Sequence, residues 1–293
     1  VGTWGIGLYS GDYAQDLRTT LAALARLPFD GDRILGILRE LEPPACDPSD
    51  EEYTTFWLVV ADQFHKRGIA CPQAVETAMR IIDDGSDDDM FRRRRMNETD
   101  LAKRRRKLAA LRAQLAGGSV RADRRTLRKP QAYCMDTGEV FVYPTSRYTP
   151  LNPYLKRRED NYRAPFNWVH DGWSAMVLLN RGRAFDYLAW YAIAVLDDTY
   201  PHKPSMEQLL AHHGWVVTPP ATCSANQLRR MDVEKIGQVQ IDREASARFR
   251  PAHRSCVSAA ASDISLAGRM KARPVKTSKG PWPMIDRLAD VLV

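Results

Sequence analysis

Long hydrophobic runs are missing from this chain of 293 residues. The longest uncharged apolar stretch, Tyr187 to Leu196, has ten residues, about half of what a membrane-crossing helix needs. No membrane partner is therefore expected. A cationic, apolar leader with a small-residue cleavage site is also missing before Trp4, which points to the cytoplasm. Cysteine is sparse: Cys46, Cys71, Cys134, Cys223 and Cys256 have no pairing rhythm and no Cys-x-x-Cys spacing, so they read as free thiols in a reducing compartment. No Gly-x-Ser-x-Gly elbow supplies a hydrolase nucleophile. His253 and Cys256, even with His212 and His213, are too scattered for a compact zinc site. Expected catalytic residues, metal ligands and cofactors are accordingly none.

What is present is charge, unevenly spread. Hydrophobic content of 44% and charged content of 27% are those of an ordinary globular protein, with a net charge of +7. Residues 1–90 hold 7 Lys/Arg against 17 Asp/Glu, whereas residues 91–129 hold 15 against 3. An acidic front is followed by a strongly basic segment.

The front half carries helical periodicity. Asp12 is placed to cap a helix with Leu17, Leu21 and Leu24 on one face, stopped by Pro28. Asp30 or Asp32 opens a second, ended by Pro43-Pro44. Asp47 as N-cap and Pro48 at the first helical position start a third, whose Tyr53, Phe56, Trp57, Val60 and Phe64 make one aromatic stripe. A fourth begins at Pro72 and ends at Gly85. The run Asp83 to Asp89 reads as a solvated acidic loop, and a fifth helix spans Asn97 or Thr99 to Gly117. After Gly118 the period changes to that of strands. The expected fold class is α+β: a helical domain at 1–117, a basic linker at 118–130, an α+β domain with a small antiparallel sheet at 131–248, and a basic extension at 249–293. In the α+β part, Asn180 to Arg183 reads as a hairpin turn, Phe185 to Leu196 as a strand or a buried helix, and Met284 to Val293 as a short helix.

Two resemblances accompany this reading. The opening Trp4-Gly5-Ile6-Gly7 with the acidic start Asp12-x-Ala14-x-Asp16, followed by Phe56-Trp57-Leu58, Ile81-Ile82-Asp83 and Ala102 to Leu115, resembles domain of unknown function family 4259 of bacteria, over about the first 117 residues. That likeness implies a bacterial helical domain and no chemistry. Gly138-Glu139-Val140-Phe141-Val142-Tyr143-Pro144 and the later Lys235 to Ile241 resemble the opening and closing strands of immunity protein family 26, proteins of bacterial conflict systems. The usual glycine-rich second strand of that family is replaced here by a Pro/Tyr/Arg loop.

Two candidate surfaces follow. Within 147–173, Arg157, Arg158, Arg163, Trp168 and Trp173 have the composition of a protein interface, which favours a non-enzymatic protein that binds a protein partner. The immunity resemblance implies a defence factor. The alternative is a nucleic-acid-binding module using segment 92–129, through Arg93, Arg94, Arg104, Arg105, Arg106, Arg124 and Arg125 as phosphate contacts. Against it, no reading head and no interleaved aromatics accompany the charge. A solvated helix face, or a clamp on the acidic first 90 residues, also explains it.

Overall fold

The computed structural model describes residues 5–43, 46–118, 124–151, 168–271 and 283–293. The chain divides into two units, Val1–Lys129 and Pro130–Val293, and the class is α+β.

Among the described residues, six α-helices build the first unit: α1 (Asp12–Leu24), α2 (Gly31–Leu41), α3 (Tyr53–Arg67), α4 (Pro72–Asp84), α5 (Ser86–Arg93) and α6 (Glu98–Ala116). Asp30 caps α2 by accepting from the Arg33 N–H at 2.8 Å. Gly68 and Gly85 end α3 and α4 in the left-handed conformation that glycine adopts without penalty. α3 touches α1, α4, α5 and α6. It is consequently buried on every side from Thr54 to Phe64, and the expected single stripe is replaced by an all-round core helix.

Three local expectations are corrected here. Asp12 is the first helical residue of α1, and Gly11 occupies the cap without a side-chain bond. Asp47 holds a turn through the Ser49 N–H rather than capping α3, which starts at Tyr53 after Asp50 has made a second such turn. The acidic run is no loop: Asp87, Asp88 and Asp89 form the first turn of α5, where carboxylates complement the positive end of the helix dipole.

The segment set apart as a linker also packs on its unit. The Leu127 N–H donates to the Arg26 carbonyl at 2.7 Å, and Arg124 donates to the carbonyls of Leu27 and Phe29.

Among the described residues, the second unit carries a seven-stranded antiparallel sheet. Its strands are β1 (Glu139–Ser146), β2 (Thr149–Pro150), β3 (Gly172–Ala184), β4 (Leu188–Leu196), β5 (His213–Val217), β6 (Glu234–Gln238) and β7 (Met284–Arg287). Their order is β2-β1-β3-β4-β5-β7, and β6 pairs with β1. Four helices accompany them: α7 (Met206–Ala211), α8 (Ala225–Arg230), α9 (Arg243–Ala247) and α10 (His253–Ala261).

Alternation along the strands makes two cores. Phe141, Tyr143, Met176, Leu178, Tyr191 and Ile193 face one, covered by Leu228, Leu266 and Met270. Val140, Val142, Ala175, Val177, Ala194 and Leu196 face the other, with Leu209, Trp215 and Ile285. Both faces are buried, so Tyr187 to Leu196 shows no polar alternation and its strand β4 was not separable from a helix by pattern.

The expected turn at Asn180–Arg183 lies inside β3, where Gly182 pairs with Trp190. A Cβ on Gly182 would sit 2.5 Å from the Trp190 ring, so this glycine serves close approach rather than a turn. The reversal is made by Phe185 and Asp186, with φ of 54° and 62°. The presumed extension 249–293 is part of the fold: α10 packs on β3 and β4, and Met284–Arg287 is a strand instead of a helix, pairing with β5. Its main-chain bonds complete the sheet beyond β5.

Candidate functional site

One end of the sheet gathers aromatic, imidazole and cationic side chains. Arg147 and Tyr148 form the tight β1–β2 turn with φ of 51° and 64°, a backbone that two-residue hairpins favour because its twist matches that of the strands. The Asp171 carboxylate accepts from the Arg147 N–H at 2.5 Å and the Thr145 hydroxyl at 3.2 Å. These bonds hold the approach to β3 against the turn. Tyr148 and Val169 are exposed there, Val169 to 57%.

Trp173 exchanges two main-chain bonds of 2.7 Å with Tyr200. The His170 ring meets the Trp173 ring edge-on at 5.3 Å, and Lys203 Nζ lies 6.0 Å from that ring. Tyr200 in turn bonds His212 Nδ1 at 2.9 Å, while His212 Nε2 is 3.3 Å from the Asp197 carboxylate. Gly214 makes room for this acid: φ is 97°, and a Cβ would lie 2.3 Å from Asp197.

Tyr200 and Asp197 thus hold the His212 ring through both of its nitrogens. The arrangement is suited to holding a surface through aromatic faces and a few polar tips. Of the residues singled out from sequence, Trp168 and Trp173 are half-buried at this end, whereas Arg157, Arg158 and Arg163 lie outside the described residues. Asp197, Tyr200 and Lys203 were not singled out, and His212 was weighed only as a zinc ligand. Their signal was faint, consisting of a polar turn directly after the long apolar strand.

The basic segment has a different fate. Arg104 is 3% exposed. Its guanidinium forks onto the buried Asp87 carboxylate at 2.6 and 2.8 Å and lies 3.8 Å from the centre of the Phe91 ring. Arg105 pairs with Asp88 at 2.5 Å, and Arg112 with Asp83 at 2.5 Å. Arg94 donates to the Glu51 carbonyl at 2.6 Å and pairs with Glu52 at 3.2 Å. Arg124 serves the α1–α2 connection as described above. Arg93, Arg106 and Arg125 are exposed.

The arginines on α6 that bond Asp87 and Asp88 therefore clamp α6 onto α5, and Arg112 clamps it onto the end of α4. Arg112 holds the Asp83 carboxyl below the usual carboxylate range. The burial of Arg104 has a readable signal: Leu101, Arg104, Leu108, Leu111 and Leu115 share the i, i+3, i+4 spacing of one helical face.

Two further features complete the picture. In the first unit Tyr9 donates to Asp62, which also receives Lys66 Nζ at 2.7 Å, and Arg18 stacks 5.2 Å from the Tyr9 ring. In the second, an open concavity of about 850 Å³ is lined by Asn180, Gln238, Gln240, Arg243, Phe249 and Arg250. Among the described residues, no group of three His, Cys, Asp or Glu side chains converges as a metal site would require, and no helix is long and apolar enough to cross a membrane.

No family model, curated protein or solved structure matches this chain. The likenesses to domain of unknown function family 4259 and immunity protein family 26 thus rest on the residues quoted for them. The two segments quoted for the latter are neighbours in the sheet, Phe141 pairing with Lys235.

Proposed function

We propose that this protein is a non-catalytic interaction protein that holds a protein partner against the aromatic end of its second unit. The observation that carries this reading is the joint exposure of Tyr148 and Val169 beside the His170–Trp173–Lys203 stack. Aromatic side chains ordered on a rigid sheet contribute much contact area at little entropic cost, which is what interface anchors need. Segment 147–173 carries five Lys/Arg against three Asp/Glu, so the partner's complementary face is acidic.

The likeness of the β1 and β6 segments to immunity protein family 26 narrows the reading to a bacterial immunity or defence factor. On that reading the acidic partner is a toxin. The nucleic-acid alternative is less favoured, because the buried or ion-paired arginines of the first unit are already engaged by carboxylates and counterion release needs cations free to meet phosphate.

The test is affinity capture with the whole chain from its native cell lysate. The Arg157→Ala, Arg158→Ala, Trp168→Ala triple variant is expected to lose the partner while its circular dichroism stays unchanged. Retention of every partner by that variant contradicts the assignment. Co-expression with a toxin encoded beside it tests the finer reading: relief of toxicity supports an immunity role, and undiminished toxicity argues against it.

A further inference from the structure

Two thiols far apart in sequence meet in the second unit. The Cys134 Sγ lies 3.2 Å from the Tyr191 hydroxyl and 3.7 Å from the Cys223 carbonyl oxygen. The neighbouring Cys223 thiol donates to the Ser224 carbonyl at 3.5 Å. Both residues are half-buried at the edge of the first core rather than sealed within it.

Each is held from both sides. The Cys134 N–H donates to Tyr191 Oη at 2.9 Å, Arg183 holds the Gln131 carbonyl, and Arg181 holds that of Met135. On the other strand of the contact, the Thr222 N–H donates to Ile264 O at 2.7 Å, and Ser224 caps α8 with a reciprocal bond to Gln227. Such fixed placement makes reaction between two groups effectively unimolecular.

We infer that Cys134 and Cys223 form a dithiol that hydrogen peroxide oxidises to an intramolecular disulfide. Cys134 is the attacking sulfur. The adjoining Cys223 thiol, and after it the Tyr191 hydroxyl 3.2 Å away, favour its thiolate and bring its pKa down to about 7. Cys223, beside that thiolate and by burial, is pushed up and stays protonated.

The Cys134 thiolate attacks one peroxide oxygen and the O–O bond breaks. Sulfenic acid forms on Cys134, and the hydroxide released leaves as water after taking the thiol's proton. The Cys223 sulfur then displaces the hydroxyl from Cys134, forming the S–S bond. Its own proton leaves with that hydroxyl as a second water. Two thiols lose two electrons, and the peroxide is reduced to two waters. The remaining cysteines differ in environment: burial raises Cys46 and Cys71, and lifts Cys256 to about 11. Thiolate at neutral pH is therefore concentrated at Cys134.

The experiment treats the whole reduced chain with one equivalent of hydrogen peroxide, denatures it in alkylating agent, and maps the cysteines by mass spectrometry. The expected result is loss of two of the five thiols and a Cys134–Cys223 linked peptide that a dithiol reductant dissolves. Cys223→Ser should leave a sulfenic acid on Cys134 that dimedone traps, and Cys134→Ser should slow peroxide consumption by about tenfold or more. The wild-type peptide map needs no variant to fold. Oxidation spread evenly over the five cysteines, a linkage other than 134–223, or Cys134 carried to sulfinic acid without a crosslink would each overturn the assignment.

Discussion

The two units solve the problem of charge in opposite ways. In the first, a cation is carried into the core: Arg104 sits on the leucine face of α6 and meets Asp87 on α5, with both side chains at 3% exposure or less. In the second, the sheet faces are apolar on both sides and its ionic groups lie at rims and turns, as with Lys235–Glu139 and Lys203–Glu234. A buried pair adds little net stability but fixes which helices meet, since losing one partner strands the other. A two-faced sheet needs no such device, because register alone decides which residues go inside. The first unit thus pairs Arg104, Arg105 and Arg112 with its own carboxylates, whereas the second keeps its ion pairs at the rims.

The buried Arg104–Asp87 pair carries the greatest predicted loss. Arg104→Ala leaves Asp87 buried without a partner and should cost about 3–5 kcal/mol in urea unfolding. Replacing both residues by apolar side chains of similar size should recover most of it. A loss below about 1 kcal/mol for the single variant would mean that the pair is wet.

A smaller loss is expected in the sheet. Gly214→Ala, strained by its positive φ and by Asp197, should lower stability by about 1–3 kcal/mol. Adding Asp197→Ala should relieve only the steric part, and a fully neutral Gly214→Ala would contradict the close approach. Asp30→Ala removes the α2 cap and should cost about 1 kcal/mol by the same measurement.

The smallest effect sharpens the comparison at the surface. Arg112 depresses the Asp83 carboxyl, so the pair contributes above the unfolded aspartate pKa, about 3.9. That contribution fades as pH falls through the lower folded value. Arg112→Ala and wild type should therefore differ slightly at neutral pH and converge once the pH has fallen below the depressed folded value. A titration of the Asp83 carboxyl that does not move upward in the variant would sink the pairing.

Much of the helical unit was legible because its signals are local. Caps and breakers such as Asp30, Pro72, Gly68 and Gly85 act within one turn, and the leucines of α6 repeat at helical spacing. What could not be read depends on partners far along the chain. Nothing near Asp87 announces that Arg104 will reach it, so the acidic run looked like a loop. Gly182 looked like a turn residue because the Trp190 ring that requires it arrives eight positions later on another strand. Of the candidate site, Trp168 and Trp173 were visible as exposed-type aromatics in a polar stretch. Tyr200 and His212 join Trp173 only through strand pairing and ring contacts, which spacing does not encode.

If the aromatic end of the second unit holds the partner, as proposed, its amides are shielded in the complex. Hydrogen–deuterium exchange on the whole chain, with and without the captured partner, tests it most directly. Protection is predicted across the amides of residues 145–151 and 168–173. Protection confined to residues 92–118 would contradict it and return the basic helix to first place.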